Sequence, residues 1–327
     1  MTTAPRRVFV TGALGFIGRT LADRYRATGA EVRGMDRVAA PEQGVVAGDV
    51  SEPGDWQAHA AGSDLVIHTA AVVSNAANAD LSWRMNVLGT RRALDAARDA
   101  GAGRFVHFSS VRAFSDLDFP DGVDESWPVR TDGNPYVDTK VAAEAVALQA
   151  HAAGEVDVTV VRPGDVYGPG SRPWTILPVE AIRSRQFLLP ARGKGIFSPV
   201  YVDTLVDGVV LAAGHPGAAG QVFTLSDGVG VTCRDFFSYY TRMLGVRGPL
   251  CVPTRVAVTL AEGAGRAARI RGQESEAGRA TVLYFTRRGT YSIEKARRVL
   301  GFDPAIDLDE GMARTEVWLR EQGLLDR

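Results

Sequence analysis

Along the first half of this chain, short apolar runs alternate with longer stretches whose apolar residues recur every three or four positions. Residues 8–10, 31–35, 44–47, 65–68, 105–108 and 157–161 are short and rich in β-branched and aromatic residues, so they read as strands. Residues 19–28, 82–100 and 136–153 carry the helical period. Strand–helix alternation of this kind predicts an α/β fold with a parallel, doubly wound, Rossmann-type sheet. Ligands of such sheets sit at the carboxyl ends of the strands.

After Arg162 the texture changes. Pro163, Gly164, Gly168, Pro169, Gly170, Pro173 and Pro178 crowd a short span, which reads as a loop-rich exit into a smaller α/β region. Later elements are expected at 203–213 (helix), 221–225 (strand), 233–244 (helix) and 309–322 (helix). Within 255–271, Val256, Leu260, Ala264, Ala267 and Ile270 fall at helical spacing. They predict an amphipathic surface helix packed by that stripe onto the smaller lobe. A membrane-surface helix is the lesser reading, because Gly263 and Gly265 weaken it and bulky apolar residues are few.

The strand at 8–10 runs into Thr11-Gly12-Ala13-Leu14-Gly15-Phe16-Ile17-Gly18 and then a helix. Gly12 can take backbone angles closed to other residues, and Gly15 lets a pyrophosphate approach the main chain. Gly18 lets the helix pack close to the sheet, while its N-terminus offers free N–H groups to phosphates. Asp36 follows, 18 residues beyond Gly18, at the end of the second strand. A carboxylate there can accept both ribose hydroxyls and repels a 2′-phosphate, which favours NAD over NADP. Arg33 and Arg37 weigh the other way, since a guanidinium could serve a 2′-phosphate. The expected division is residues 1–165 for a dinucleotide-binding domain and 166–327 mainly for a substrate-binding region. Segments around 198–225 are expected to return to the first domain.

Bulk properties narrow the function. The chain has 327 residues, 45% apolar, with 37 basic and 38 acidic residues and a formal net charge of −1. That balance points away from nucleic acid and towards a small-molecule substrate. Cys233 and Cys251 have no metal-ligand spacing, so no metal site is expected; they read as buried thiols of a reducing compartment, the cytoplasm. No apolar run reaches membrane-spanning length, and residues 1–10 do not have the form of a signal peptide.

Tyr136-Val137-Asp138-Thr139-Lys140 is the second informative unit. Residues four apart share a helix face, so Lys140 lies beside Tyr136. A neighbouring ammonium is expected to lower the phenol pKa, fitting it to take a proton from an alcohol or give one to a carbonyl. Ser109-Ser110 follows the strand at 105–108, where a hydroxyl can hydrogen-bond the reacting oxygen. His68 ends an apolar strand and reads as a satisfied structural histidine.

With these units in place the chain resembles the extended short-chain dehydrogenase/reductase family, also called the NAD-dependent epimerase/dehydratase family, over nearly its whole length. The matching motifs are Thr11–Gly18, Gly48-Asp49-Val50, His68-Thr69-Ala70-Ala71, Asn86-Val87-Leu88-Gly89-Thr90, Ser109-Ser110, Tyr136–Lys140 and the run from Arg162 to Pro169. The resemblance implies a catalytic set of Ser110, Tyr136 and Lys140. It implies cofactor contacts at Gly12, Gly15, Phe16, Ile17, Gly18, Asp36, Arg37, Asp49, Val50, Thr69, Ala70, Ala71, Asn86, Phe108, Tyr136, Lys140, Pro163 and Val166. It also implies a homodimer joined through 82–100 and 136–153. One departure is Ala113-Phe114-Ser115, where the family often reads Val-Tyr-Gly.

The branch is read from differences. Sugar-nucleotide dehydratases of the family carry an Asp-Glu pair after the catalytic hydroxyl residue, and here Val111-Arg112 stands there. Epimerases often show Arg-Asp where this chain has Phe197-Ser198-Pro199, so a diphosphate ligand is missing. Residues 65–71, 168–172, 200–203 and 291–296 look more like the 3β-hydroxysteroid dehydrogenase branch. The expected activity is hydride transfer between NAD and a secondary alcohol or ketone on an apolar substrate, such as a 3β-hydroxysteroid or a β-hydroxy/keto acyl compound. A nucleotide-sugar epimerase is the alternative. A non-catalytic dinucleotide sensor ranks last, because such relatives typically lose the tyrosine–lysine pair.

Overall fold

A computed structural model of the chain describes residues 4–116, 119–272, 275–276 and 278–325. The first half is built from β1 (Arg7–Thr11), α1 (Phe16–Ala27), β2 (Glu31–Asp36), β3 (Val45–Ala47), α2 (Asp55–Ala58), β4 (Leu65–His68), α3 (Ala79–Trp83), α4 (Gly89–Asp99), β5 (Arg104–Phe108), α5 (Pro135–Ala152) and β6 (Val158–Pro163). The second half adds β7 (Asp165–Tyr167), α6 (Leu177–Arg183), β8 (Leu188–Leu189), β9 (Ile196–Phe197), β10 (Pro199–Tyr201), α7 (Val202–Gly214), β11 (Gln221–Leu225), β12 (Val231–Thr232) and α8 (Cys233–Met243). It closes with β13 (Leu250–Cys251), α9 (Thr254–Ile270), α10 (Arg279–Tyr284), α11 (Glu294–Leu300) and α12 (Leu308–Glu321).

Seven strands form one parallel sheet in the order β11-β6-β5-β4-β1-β2-β3. Its central strands are buried on both faces, which is why they read as unbroken apolar runs rather than alternating ones. On one face Leu21, Ala22 and Tyr25 of α1 pack with Leu205, Val206 and Val209 of α7. On the other, Ala93, Leu94 and Ala97 of α4 pack with Ala147 and Ala150 of α5. The chain changes face between β3 and β4, so strand order reverses beside β1. A crevice opens there at the carboxyl ends.

The smaller lobe is stitched by two-residue and three-residue strands: β7 with β10, β9 with β12 and β8 with β13. Such short pairs have no periodicity to detect. Trp174, Phe197, Phe236, Phe237 and Phe285 form its aromatic core.

Two expectations need correction. Residues 82–100 are not one helix: α3 and α4 are joined by a wider, π-helical turn at Arg84–Leu88. The stripe of α9 faces outward, with Val256, Leu260 and Ile270 at 45%, 52% and 87% exposure. The helix packs instead through small residues, Ala257 and Gly265, which allow its backbone to come close. Among the described residues no helix is long and apolar enough to cross a membrane, and no group of three or more His, Cys, Asp or Glu could hold a metal. Cys233 and Cys251 are free thiols.

Candidate active site

The glycine turn leaves β1 and bends at Gly12, whose φ of 69° is left-handed. Its N–H donates to the Met35 carbonyl at 2.9 Å, tying the turn to the end of β2. A Cβ on Gly18 would run into the Gly12 carbonyl, so this helix lies against the turn only because position 18 is glycine, while a Cβ on Gly12 would press on Thr69 and Ala70. Gly15 starts α1 without any side-chain cap. The first-turn N–H groups therefore stay available to a ligand anion. Asp36 accepts the Leu14 N–H at 2.9 Å through one oxygen and the Arg37 N–H at 2.7 Å through the other.

A cleft of about 580 Å³ runs from this turn across the carboxyl ends of the strands. Gly12, Gly15, Phe16, Ile17, Gly18, Asp36, Arg37, Val50, Thr69, Ala70 and Ala71 line it. Phe108, Ser110, Tyr136, Lys140, Pro163 and Val166 line the same cleft further along. Asp49 and Asn86, both expected at the cofactor, do not line it. The Asp49 carboxylate accepts the Ser51 N–H and hydroxyl at 2.8 and 2.7 Å, and those bonds hold its pKa below the usual range. Asn86 is buried: it accepts the Val72 N–H at 2.8 Å and donates to the Val72 carbonyl at 3.1 Å and Thr139 hydroxyl at 3.0 Å. It braces the cleft wall against α5.

Ser110 follows β5 and caps the short turn Val111–Phe114, its hydroxyl accepting the Arg112 N–H at 3.1 Å. Asn134 caps α5 by accepting the Tyr136 N–H at 2.9 Å, which starts the helix one residue before Tyr136. Lys140 lies one turn on, and its Nζ donates to the Phe108 carbonyl at 2.7 Å. Ser110 and Tyr136 line the same cleft, and the Ser110 hydroxyl is among the groups that act on the Tyr136 phenol. Burial raises the Tyr136 pKa, opposed by the Arg112 cation and then by the Ser110 hydrogen bond. The expected depression by Lys140 is therefore not seen. Burial pulls Lys140 itself down to about 8, its Nζ is turned to a carbonyl, and it sits 5.8 Å from the Tyr136 ring centroid. A buried phenol next to a serine hydroxyl can exchange a proton with one substrate oxygen.

The sequence leads one to expect segments 171–198 and 252–285 to shape the substrate pocket, which holds for Trp174 and Tyr284, but it singles out no residue of this far wall. Arg112, Trp174, Tyr284 and Asp165 all line the cleft. Tyr284 stacks on Trp174 with ring centroids 5.2 Å apart, and its hydroxyl donates to Asp165. Asp165 is also ion-paired with Arg287 at 3.0 Å and accepts the Ser198 N–H at 2.9 Å. Only Arg112 left a local trace, an arginine two residues past Ser110 with an acid four residues later. Trp174 and Tyr284 come from segments more than a hundred residues apart, so no spacing could pair them. Phe197 is fully buried in the aromatic core, 4.1 Å centroid to centroid from Phe236. His68 is also structural: its Nδ1 and Nε2 meet the Thr11 and Thr90 hydroxyls at 2.8 and 3.0 Å, and burial lowers its pKa to about 3.

A seven-stranded Rossmann sheet with this cleft at its carboxyl edge defines the extended short-chain dehydrogenase/reductase class. Residues 8–225 match the model of the NAD dependent epimerase/dehydratase family, and the chain belongs to that family. It is 32% identical over 318 residues to a 4-hydroxy-2-methyl-3-oxo-4-farnesyl-3,4-dihydroquinoline-1-oxide ketoreductase of Stigmatella aurantiaca, covering 94% of each chain. It is 30% identical to a 3-beta-hydroxysteroid dehydrogenase of Mycolicibacterium neoaurum, covering 94% of this chain and 89% of that one. Among solved structures, MoeE5 in complex with UDP-glucose and NAD matches with a TM-score of 0.77 and 26% identity, covering 97% of this chain and 99% of MoeE5.

Proposed function

We propose that this chain is an NAD-dependent oxidoreductase acting on a secondary alcohol or ketone of an apolar substrate, such as a 3β-hydroxysteroid or a β-hydroxy/keto acyl compound. The observation that carries this reading is the meeting of Ser110, Tyr136 and Lys140 in the cleft that begins at the uncapped glycine turn. The ketoreductase and hydroxysteroid dehydrogenase relatives support it. The residues present fit a dinucleotide: glycines where a side chain would fill the approach, free N–H groups of α1, and a carboxylate at Asp36. Asp36 favours NAD over NADP. Titration of both checks this, and tighter NADP binding would overturn it.

When bound, the reduced cofactor supplies a hydride from its nicotinamide C4 to the carbonyl carbon. The carbonyl π pair moves onto oxygen, and that oxygen takes the Tyr136 proton; oxidation is the reverse. Ser110 orients the oxygen and shares its developing charge. Lys140 would hold the nicotinamide ribose, and Pro163 and Val166 would flank the ring. Trp174, Tyr284, Pro173 and Val72 give the far end an apolar and aromatic wall.

Residues 1–165 then form the cofactor domain and 166–327 mainly the substrate region, with 198–225 returning to the sheet. The pairing of β11 with β6 supports that division. A homodimer through the α3–α4 and α5 faces is part of the same reading, and exposed Leu81, Trp83 and Leu88 support it. Light scattering of the wild type against Trp83→Glu tests it.

The observation on the side of nucleotide-sugar epimerisation is a second cavity of about 480 Å³ lined by Arg192, Lys194 and Arg288. The deciding experiment is a panel of sterols, 3-oxo acyl compounds and sugar nucleotides followed by nicotinamide absorbance. Stoichiometric cofactor turnover with a ketone or alcohol is the expected result. Interconversion of a sugar nucleotide without net cofactor turnover would overturn the reading.

A further inference from the structure

Arg112 is nearly buried yet lines the cleft beside Tyr136. Its guanidinium is held on every side but one. Nε donates to both Asp116 oxygens at 3.1 and 3.0 Å, and Nη2 donates to Asp116 and, at 3.0 Å, to Asn75. Its Cζ lies 5.0 Å from the Tyr136 ring centroid and 5.0 Å from that of Tyr284. Asn75 also accepts from Asn134 at 2.8 Å, and Asn134 caps the helix carrying Tyr136. Nη1 makes no hydrogen bond among the described residues, and it is not sealed off from solvent. A fork this constrained, with one edge left open beside the proton donor, is a pre-organised donor pair. Asp116 neutralises its charge, so that edge suits an uncharged, polarised oxygen better than a carboxylate.

We propose that Arg112 is a specificity-determining residue. Through Nη1 it holds a second, uncharged carbonyl-type oxygen lying a few bonds from the reacting carbon, so that β-dicarbonyl compounds are preferred over plain ketones. This rests on the reading of Tyr136 as the group facing the reacting oxygen. The apolar wall of Trp174 and Tyr284 then takes the remainder of the molecule.

Three probes separate the possibilities: a long-chain β-keto ester, the ketone of equal length lacking the ester, and the corresponding β-keto acid. The wild type is expected to favour the ester over the ketone in kcat/KM by about ten- to hundredfold, the usual value of a hydrogen bond to a charged group. Arg112→Met should remove that preference mainly through KM, and calorimetry on the NAD complex should show the same loss in ester affinity. Arg112→Met/Asp116→Leu removes both charges together and should lose the ester preference, read as the ratio of the two kcat/KM values, whatever change in turnover the ester and ketone share through Tyr136. Equal use of ester and ketone by the wild type, or an equal loss on both in the variants, overturns the proposal. A wild-type preference for the acid over the ester overturns the uncharged assignment. If none of the three probes consumes NADH while another alcohol or ketone of the panel turns the cofactor over, this proposal is overturned and the oxidoreductase reading stands; if no alcohol or ketone of the panel does so, that reading itself has failed.

Discussion

The two ends of the cleft are made of different material. At the glycine end, recognition groups are main-chain: the uncapped N–H groups of α1, and Gly12 and Gly18 where a Cβ has no room. These lie within eight consecutive residues; Asp36 reaches in from the next strand, and Val50, Thr69, Ala70 and Ala71 line the same end. At the Tyr136 end the groups are side chains from five separate segments, Ser110 and Arg112, Tyr136, Asp165, Trp174 and Tyr284, tied by hydrogen bonds and ring stacking. A backbone site changes little without losing the fold. A side-chain site can be rebuilt one residue at a time, which is how one fold serves many substrates.

The comparison can be broken at either end. Tyr284→Ala removes a buried ring that stacks on Trp174 and bonds Asp165. It should cost about 3–5 kcal/mol of stability in urea melts and impair turnover, with NAD affinity unchanged. Lost NAD affinity would show the two ends to be one unit.

Lys140 lies where the ends meet. Burial lowers its pKa from 10.5 to about 8, on the order of 3 kcal/mol. Between those values the unfolded chain binds the proton that the folded chain has released, so stability from this group rises with pH from about 8 to 10.5. Urea melts of the cofactor-free protein should show that rise relative to Lys140→Met, which lacks it; parallel pH curves for the two would refute it.

Gly18→Ala puts a methyl group against the Gly12 carbonyl. It should cost about 1–3 kcal/mol and weaken NAD binding sharply, while the Tyr136 end keeps its geometry. Unchanged NAD binding by titration would mean the turn is not the phosphate site.

The smallest effect is expected at Ser115, whose φ of 81° and ψ of 159° belong to glycine territory. The strain is held by the Ser115 hydroxyl and the Asp116 N–H, both donating to Asp132 at 3.0 Å. Ser115→Gly trades that hydroxyl bond for relief of strain and should gain about 1 kcal/mol in a thermal melt. A loss of stability would place the hydroxyl bond above the strain.

Legibility followed the same division. The sheet strands and the glycine turn were readable because period and spacing are local properties. Residues 65–68 and 221–225 even have the expected ends. The break at Arg84–Leu88 was hidden because the sequence keeps its helical period while Asn86 turns inward to Val72 and Thr139. The α9 stripe misled for a related reason: periodicity marks a face, and the helix buried its smaller residues instead. Arg112 left only the local trace of Asp116 four residues on, because its other partners Asn75, Tyr136 and Tyr284 are far away in the chain. The family's glycine at the position of Ser115 makes sense only with the backbone angle in view.

The central claim is that Tyr136 exchanges the proton with the substrate oxygen. Its most direct test is Tyr136→Phe, measured as kcat on the best substrate of the panel alongside NAD affinity. The ring would still fill its place between Arg112 and α5. The account predicts a loss of about 10²–10⁴ in kcat with NAD affinity unchanged. Turnover near that of the wild type would mean the proton travels by another group, and would contradict it.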